Sequence, residues 1–338
     1  MNGSRSAEKA VAHGAVLDRE LCGEAGAVRE VHGLKGDSMG TKKLLFVFNP
    51  FSGKGQVKGK LFPIVDCFVK AGYEVTIYPT QCRQDAMELV EKQAGRYALV
   101  VCCGGDGTLD EVVTGMMRRE PRLPIGYIPA GSTNDFAVSL GIPKQMARAA
   151  QIAVDGKAFA CDIGSFNEDY FVYIAAFGLF TDVSYATRQD LKNRLGHVAY
   201  RLEGIKRLPG ILQSQRMRIQ YGDQVIEDEF IYGMVTNSIS AGGFKNITGK
   251  NVKLDDGLFE VTLIRMPKNP LELNAIIGSL TNLIDDTDCI YTFKASQLYI
   301  QSLEKVAWTL DGEYGGRHCE VAIQNQKQAI QIMVRNAQ

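Results

Sequence analysis

Leu99-Val100-Val101-Cys102-Cys103-Gly104-Gly105-Asp106-Gly107-Thr108-Leu109-Asp110-Glu111-Val112-Val113-Thr114-Gly115-Met116 is the most informative stretch of this 338-residue chain. The β-branched and small residues before Gly104 suit a strand covered on both faces, while Leu109, Val112, Val113 and Met116 recur at helical spacing. Thr108 and Glu111 have the spacing of a capping box, which sets the expected helix start at Thr108. The peptide N–H groups of Gly104, Gly105, Gly107 and the first turn then converge on one point, a ready place for a phosphate group. Asp106 stands in their midst. A carboxylate aimed at a phosphate repels it unless it holds a metal ion, accepts a proton or orients water.

Composition narrows the class. The chain is 45% apolar with 38 basic and 38 acidic side chains, enough for two cores and without the charge excess that nucleic acid demands. Its eight cysteines include no Cys-x-x-Cys pair, which predicts reduced thiols and a cytoplasmic protein. The longest apolar run, Phe171 to Phe180, is too short to span a bilayer. Residues 1–40 lack a sustained period and a signal-peptide pattern, and are expected to be a poorly ordered extension.

From Leu44 the pattern alternates: strand 44–48, helix 57–70 closed by Gly72, strand 74–78, helix 85–94, the central strand and helix, then strand 125–128. Such alternation predicts a doubly wound parallel sheet, whose ligands bind beyond the carboxyl ends of the strands. Those ends carry Asn49-Pro50-Phe51-Ser52-Gly53-Lys54-Gly55, Thr80-Gln81-Cys82-Arg83-Gln84-Asp85-Ala86, the Gly-Gly-Asp-Gly-Thr turn, and Pro129-Ala130-Gly131-Ser132-Thr133-Asn134-Asp135-Phe136. Past Asp155 the texture becomes β-rich. Strands are expected at 171–176, 216–221, 229–236, 258–265, 295–301, 305–310, 319–324 and 329–334, with helices near 188–207 and 271–283, as an antiparallel β-sandwich.

In order and spacing the four loops resemble the diacylglycerol kinase-like lipid kinases of the bacterial type, which are related in outline to sphingosine kinases and NAD kinases. The resemblance runs from Lys42 to Gln338. It implies an α/β nucleotide-binding domain over 42–160, rejoined by a C-terminal strand at about 327–338, and a β-rich substrate domain over 161–326. It implies ATP and Mg2+ as cofactors, with Asn49, Ser52, Gly53, Lys54, Thr80, Gly104, Gly105, Asp106, Gly107, Thr108, Leu109, Asp110, Gly131, Ser132, Thr133, Asn134 and Asp135 around the nucleotide. Ser132 stands where the family usually has Thr, Gln84 where Gly is frequent, and Val138 where Arg is common; the last departure removes a cation from the site.

Three features of the second half take their roles from the same resemblance. Asp162 matches an acidic residue that faces the nucleotide across the cleft, and it is expected among the metal ligands. Lys253-Leu254-Asp255-Asp256-Gly257-Leu258 resembles a structural magnesium loop, with Asp256 and the carbonyls of Lys253 and Leu258 as ligands. Glu313, in Trp308-Thr309-Leu310-Asp311-Gly312-Glu313, matches the base that takes the proton of the acceptor hydroxyl. The expected partners are ATP and a lipid such as diacylglycerol, and nothing excludes a homodimer. Two alternatives stay open: a kinase of a soluble acceptor and a nucleotide-binding regulator. From Gln189 to Leu208 an apolar stripe (Leu191, Leu195, Val198, Leu202, Ile205) runs among Arg188, Lys192, Arg194, Arg201, Lys206 and Arg207, a pattern that suits either packing on the second domain or peripheral contact with an anionic membrane.

Overall fold

The computed structural model describes residues 41–179, 213–241, 244–245, 252–280 and 287–336, all within one unit, Gly40–Gln338. The extension 1–40 and the basic segment 188–207 lie outside the described residues.

The first part alternates as expected: β1 (Lys42–Phe48), α1 (Gln56–Lys70), β2 (Tyr73–Pro79), α2 (Asp85–Gln93), β3 (Leu99–Gly104), α3 (Asp106–Met117), β4 (Ile125–Pro129), α4 (Asp135–Ser139) and α5 (Met146–Asp155). The four strands pair in parallel in the order β2-β1-β3-β4, and every residue of β3 and β4 is buried. Helices cover both faces, so the strands read as unbroken apolar runs rather than as alternations.

The second part contains β5 (Lys157–Phe166), β6 (Asp169–Phe171), β7 (Ile174–Gly178), β8 (Gln215–Tyr221), β9 (Gln224–Thr236), a small pair β10 (Ser240–Ala241) and β11 (Phe244–Lys245), β12 (Phe259–Arg265), α6 (Pro270–Leu280), β13 (Ile290–Ala295), β14 (Gln297–Leu310) and β15 (Glu313–Val334). Its strands pair antiparallel around a core centred on Trp308, whose ring meets Phe166 at 5.1 Å and Phe177 at 4.9 Å. Full burial of each such aromatic contributes about 2–3 kcal/mol. β15 joins the two parts: Val321 and Ile323 sit in the second core, whereas Ile330 and Ile332 sit in the first, where Ile332 pairs in parallel with Ile125 of β4.

Several local expectations fail for identifiable reasons. The capping box does not form: α3 begins at Asp106 with Gly105 as its N-cap, and the N–H groups of Thr108 and Leu109 both donate to Gly105 O at 3.1 Å. Glu111 instead reaches across to α2, accepting from the Gln84 and Ala86 N–H groups at 2.8 and 3.2 Å. Strands expected as two at 295–310 and as two at 319–334 are single long strands with bulges, between Gln301 and Val306 and between Gln326 and Ile330, where the apolar alternation slips. The run from Phe171 is not one strand, because Val172 and Tyr173 break it. β5 and β13 were not expected; Asp162 and Gly164 interrupt the apolar pattern of the first.

Candidate active site

A cleft of about 670 Å³ opens at the carboxyl ends of the parallel strands, between their loops and the β14–β15 turn. Asn49, Ser52, Thr80, Gly105, Asp106, Gly107, Thr108, Asp110, Gly131, Ser132, Thr133, Asp135 and Glu313 all line it. Four sequence-distant loops therefore meet where the strand-end rule puts a ligand.

Glycine is needed where two of these loops touch. A Cβ on Gly131 would stand 2.6 Å from the Cα of Gly105, so the loops after β3 and β4 pack backbone to backbone. Asn134 fixes that contact from below. Its Oδ1 accepts from Gly131 N–H and its Nδ2 donates to Gly131 O, both at 2.8 Å, while its own backbone is left-handed (φ 54°). Asn134 is buried and spent on the loop, and it does not line the cleft. Neither do Gly53, Gly104 and Leu109; Leu109 belongs to the first core. The side chain of Lys54 lies outside the described residues.

Asp106 opens α3. Its Oδ2 accepts from the Thr133 hydroxyl at 3.1 Å and from Asp135 N–H at 3.4 Å, and its Oδ1 is buried without a hydrogen-bond partner. Burial, and secondarily the nearby Asp135, push its pKa up from the ordinary carboxylate range. A buried oxygen held open in this way is a site for a cation or a proton.

The opposite wall is the turn from β14 to β15. Leu310 pairs with Glu313 across a two-residue loop in which Asp311 (φ 51°) and Gly312 (φ 85°) are both left-handed, the conformation that an Asp-Gly hairpin turn favours. Asp311 is 5% exposed, and its carboxylate accepts the N–H groups of Val172, Tyr173 and Ile174 at 2.5, 2.9 and 3.0 Å. These three bonds break the Phe171 run and lock the turn to it. Glu313 thus projects over α3, its Oε1 lying 3.8 Å from where a Cβ on Gly107 would be. Its Oε2 pairs with Arg83 at 3.3 Å, across the cleft. Among the described residues lining the cleft Arg83 is the one basic side chain, facing Asp106, Asp110, Glu111, Asp135, Asp169, Asp311 and Glu313.

The remaining acidic candidates sit elsewhere. Asp162 is fully buried and does not face the cleft. Its Oδ2 accepts from Gly257 N–H at 2.6 Å and its Oδ1 from Gln328 N–H at 2.8 Å, so both oxygens are engaged in tying the loop at Gly257 to the bulge of β15. In the loop 253–258, Asp256 Oδ1 accepts from Leu258 N–H at 3.0 Å. Its Oδ2 lies 3.7 Å from the Lys294 ammonium, whose nearer partner is Glu260 at 2.8 Å. Lys253 and Leu258 flank it, and a lysine already compensates the charge that the magnesium was expected to meet.

Known proteins share this construction. The family model of the diacylglycerol kinase catalytic domain matches residues 43–166. The diacylglycerol kinase of Bacillus subtilis (strain 168) is 35% identical over 278 residues, 81% of this chain and 91% of that protein. The chain belongs to the diacylglycerol kinase family. The diacylglycerol kinase of Staphylococcus aureus (strain MRSA252) is likewise 35% identical over 280 residues, covering 82% and 87% of the two chains. The crystal structure of a diacylglycerol kinase from Bacillus anthracis str. Sterne has the same fold, with a TM-score of 0.68 at 24% identity over 87% of this chain and 97% of that one. The chain is therefore a lipid kinase, and the lower wall of its cleft, formed by Ile174, Ala176, Leu179, Tyr232 and Leu310, gives this diacylglycerol kinase relative an apolar surface beside its carboxylates. Among the described residues no helix is long and apolar enough to cross a membrane.

Two residues of this site, Arg83 and Asp311, carry no role in the sequence reading, and the Asp110–Asp311 approach has no signal in it. A loop arginine such as Arg83 is ordinarily solvated, so its sequence context gives no signal. Asp110 and Asp311 lie 201 positions apart by their numbers, and only the folded chain brings them together.

Proposed function

We propose that this lipid kinase transfers the γ-phosphoryl group of ATP to the hydroxyl of a lipid such as diacylglycerol, with Mg2+ as cofactor. The observation that supports this best is the approach of Glu313 to Gly107, which brings an accessible carboxylate from one wall over the helix N-terminus of the other. The peptide N–H groups at the start of α3 and the glycine loops around Gly105 and Gly131 favour phosphate oxygens. Glu313 accepts the hydroxyl proton as the alcohol oxygen bonds to phosphorus and the bond to the ADP oxygen breaks. Arg83 orients Glu313 before substrate binds and supplies positive charge to phosphate afterwards.

The buried, unpartnered Oδ1 of Asp106 fits a divalent cation, which when bound neutralises phosphate charge. At Asp256 the Lys294 ammonium, 3.7 Å away, stands in place of an ion. An acceptor dissolved in a bilayer also implies peripheral contact with a membrane surface. The test is turnover with labelled ATP on diacylglycerol, phosphatidylglycerol, sphingosine, undecaprenol and NAD, comparing the parent with Glu313→Gln. Turnover on one lipid that falls about 10²–10⁴-fold in the variant, with ATP affinity nearly constant, supports the assignment. Equal losses of affinity and turnover make Glu313 a binding residue, and exclusive turnover of NAD overturns the lipid acceptor.

A further inference from the structure

Of the carboxyl groups that α3 brings to the cleft, Asp106 and Asp110 lie one turn apart, and the second has so far only an expected place beside the nucleotide. Asp110 lies within hydrogen-bonding reach of Asp311 on the opposite wall. Two carboxyl groups joined by a hydrogen bond share a proton, since two carboxylates offer no donor between them. The three N–H groups of residues 172–174 already stabilise the anion at Asp311, so the proton resides on Asp110. The groups that face Asp110 are all acidic: Asp311 in the turn, Glu111 on its own helix and Asp169 on β6. Asp169 is itself paired with Arg118 at 3.5 Å. The Oδ1 of Asp110 is buried without a partner, which an ionised carboxylate would tolerate poorly and a neutral acid bears at lower cost.

We propose that Asp110 is a positioning residue: as a neutral acid it donates a hydrogen bond to Asp311 and so holds the turn bearing Glu313 against the helix bearing Asp106. The Asp110–Asp311 bond is the strut across the cleft at its floor, and the Arg83–Glu313 pair is its counterpart at the exposed rim. Losing the proton turns the strut into two like charges inside the fold, which push the walls apart and carry Glu313 away from Gly107. The direction with pH follows. Burial and Asp311 raise the pKa of Asp110 well above the carboxylate range, so the folded chain keeps a proton that the unfolded chain releases near pH 4. Stability is fully present below that unfolded value and declines as pH rises toward the folded one.

The inference rests on the assignment of Glu313 as the base, and its test has a readout that does not. The full chain and Asp110→Asn are compared by thermal unfolding from about pH 6 to about pH 9. Asparagine keeps a donor for Asp311 and cannot titrate, so the parent loses melting temperature relative to the variant as pH rises. The alkaline fall in turnover is likewise displaced or abolished in Asp110→Asn. Asp110→Ala, which removes the donor, turns over at least tenfold more slowly than Asp110→Asn at neutral pH, with ATP KM similar in both. Parallel melting profiles of parent and Asp110→Asn overturn the proposal, as does equal turnover of the Asn and Ala variants. If Asp110→Ala does not fold, the melting comparison alone decides. A failure of the Glu313 assignment shows instead as an active Glu313→Gln, and leaves the melting profiles untouched.

Discussion

Asp106 and Asp162 are both aspartates with enclosed carboxyl oxygens, one at the head of α3 and the other within β5, and they differ in what those oxygens do. Asp162 spends both on backbone N–H groups, one in the loop at Gly257 and one at the bulge of β15. Asp106 spends one and keeps the other buried and open. A carboxylate with both oxygens engaged by backbone N–H groups acts as a structural clamp, because a ligand that displaced those bonds would release the segments they hold. A carboxylate kept partly uncommitted costs folding free energy, and such a cost is concentrated where chemistry is done.

The contrast breaks most visibly on substitution. Asp106→Asn is expected to lower turnover about 10³-fold, on the order of 4 kcal/mol of transition-state stabilisation, by removing the charge that a cation needs. The same change should leave the melting temperature at neutral pH equal or higher. The pKa of Asp106 is raised in the fold, so its charge opposes folding above the unfolded value, and Asn relieves it. A turnover within a few-fold of the parent removes Asp106 from the mechanism.

Asp162→Ala should do the reverse. Orphaning the Gly257 and Gln328 N–H groups costs about 3 kcal/mol of stability, read as a lower denaturant midpoint, while the folded fraction keeps most of its turnover. Loss of turnover without loss of stability makes Asp162 a site residue after all.

Asn134 sharpens the comparison because it lies beside the cleft yet behaves as a clamp. Asn134→Ala should destabilise by about 2 kcal/mol, from the two lost bonds to Gly131 and the left-handed backbone. Asn134→Gly, free of the backbone penalty, should recover about 1 kcal/mol of that, measured by the same midpoints. The smallest stability effect belongs to Arg83→Gln, under about 1 kcal/mol because its pair with Glu313 is exposed. Its signature is kinetic: the KM for ATP should rise, and an unchanged KM and turnover would leave Arg83 a surface residue.

The same distinction explains what the sequence shows and what it hides. The parallel sheet was legible because β1, β3 and β4 are covered on both sides and carry unbroken apolar runs, and the cleft because each strand end bears its own glycine and polar cluster. Glu111 was misassigned to its own helix because spacing alone does not reveal that a side chain reaches residues 84 and 86. Asn134 and Asp162 sit in motifs as prominent as that of Asp106, and only their hydrogen-bond partners separate them. The Asp110–Asp311 contact had no local signal at all, since it depends on a register between two walls.

The parallel pairing of Ile332 with Ile125 also bears on how the protein is made. β4 has β3 on one side and the end of β15 on the other, so its second edge stays open on the ribosome until residue 332 has emerged. The half with the parallel sheet is translated first and yet completed last. An apolar strand edge waiting through the synthesis of some two hundred further residues invites pairing with another nascent chain, so chaperone dependence should be set by that delay and relieved by supplying the last strand early, as in a circular permutant that places residues 313–334 ahead of β1.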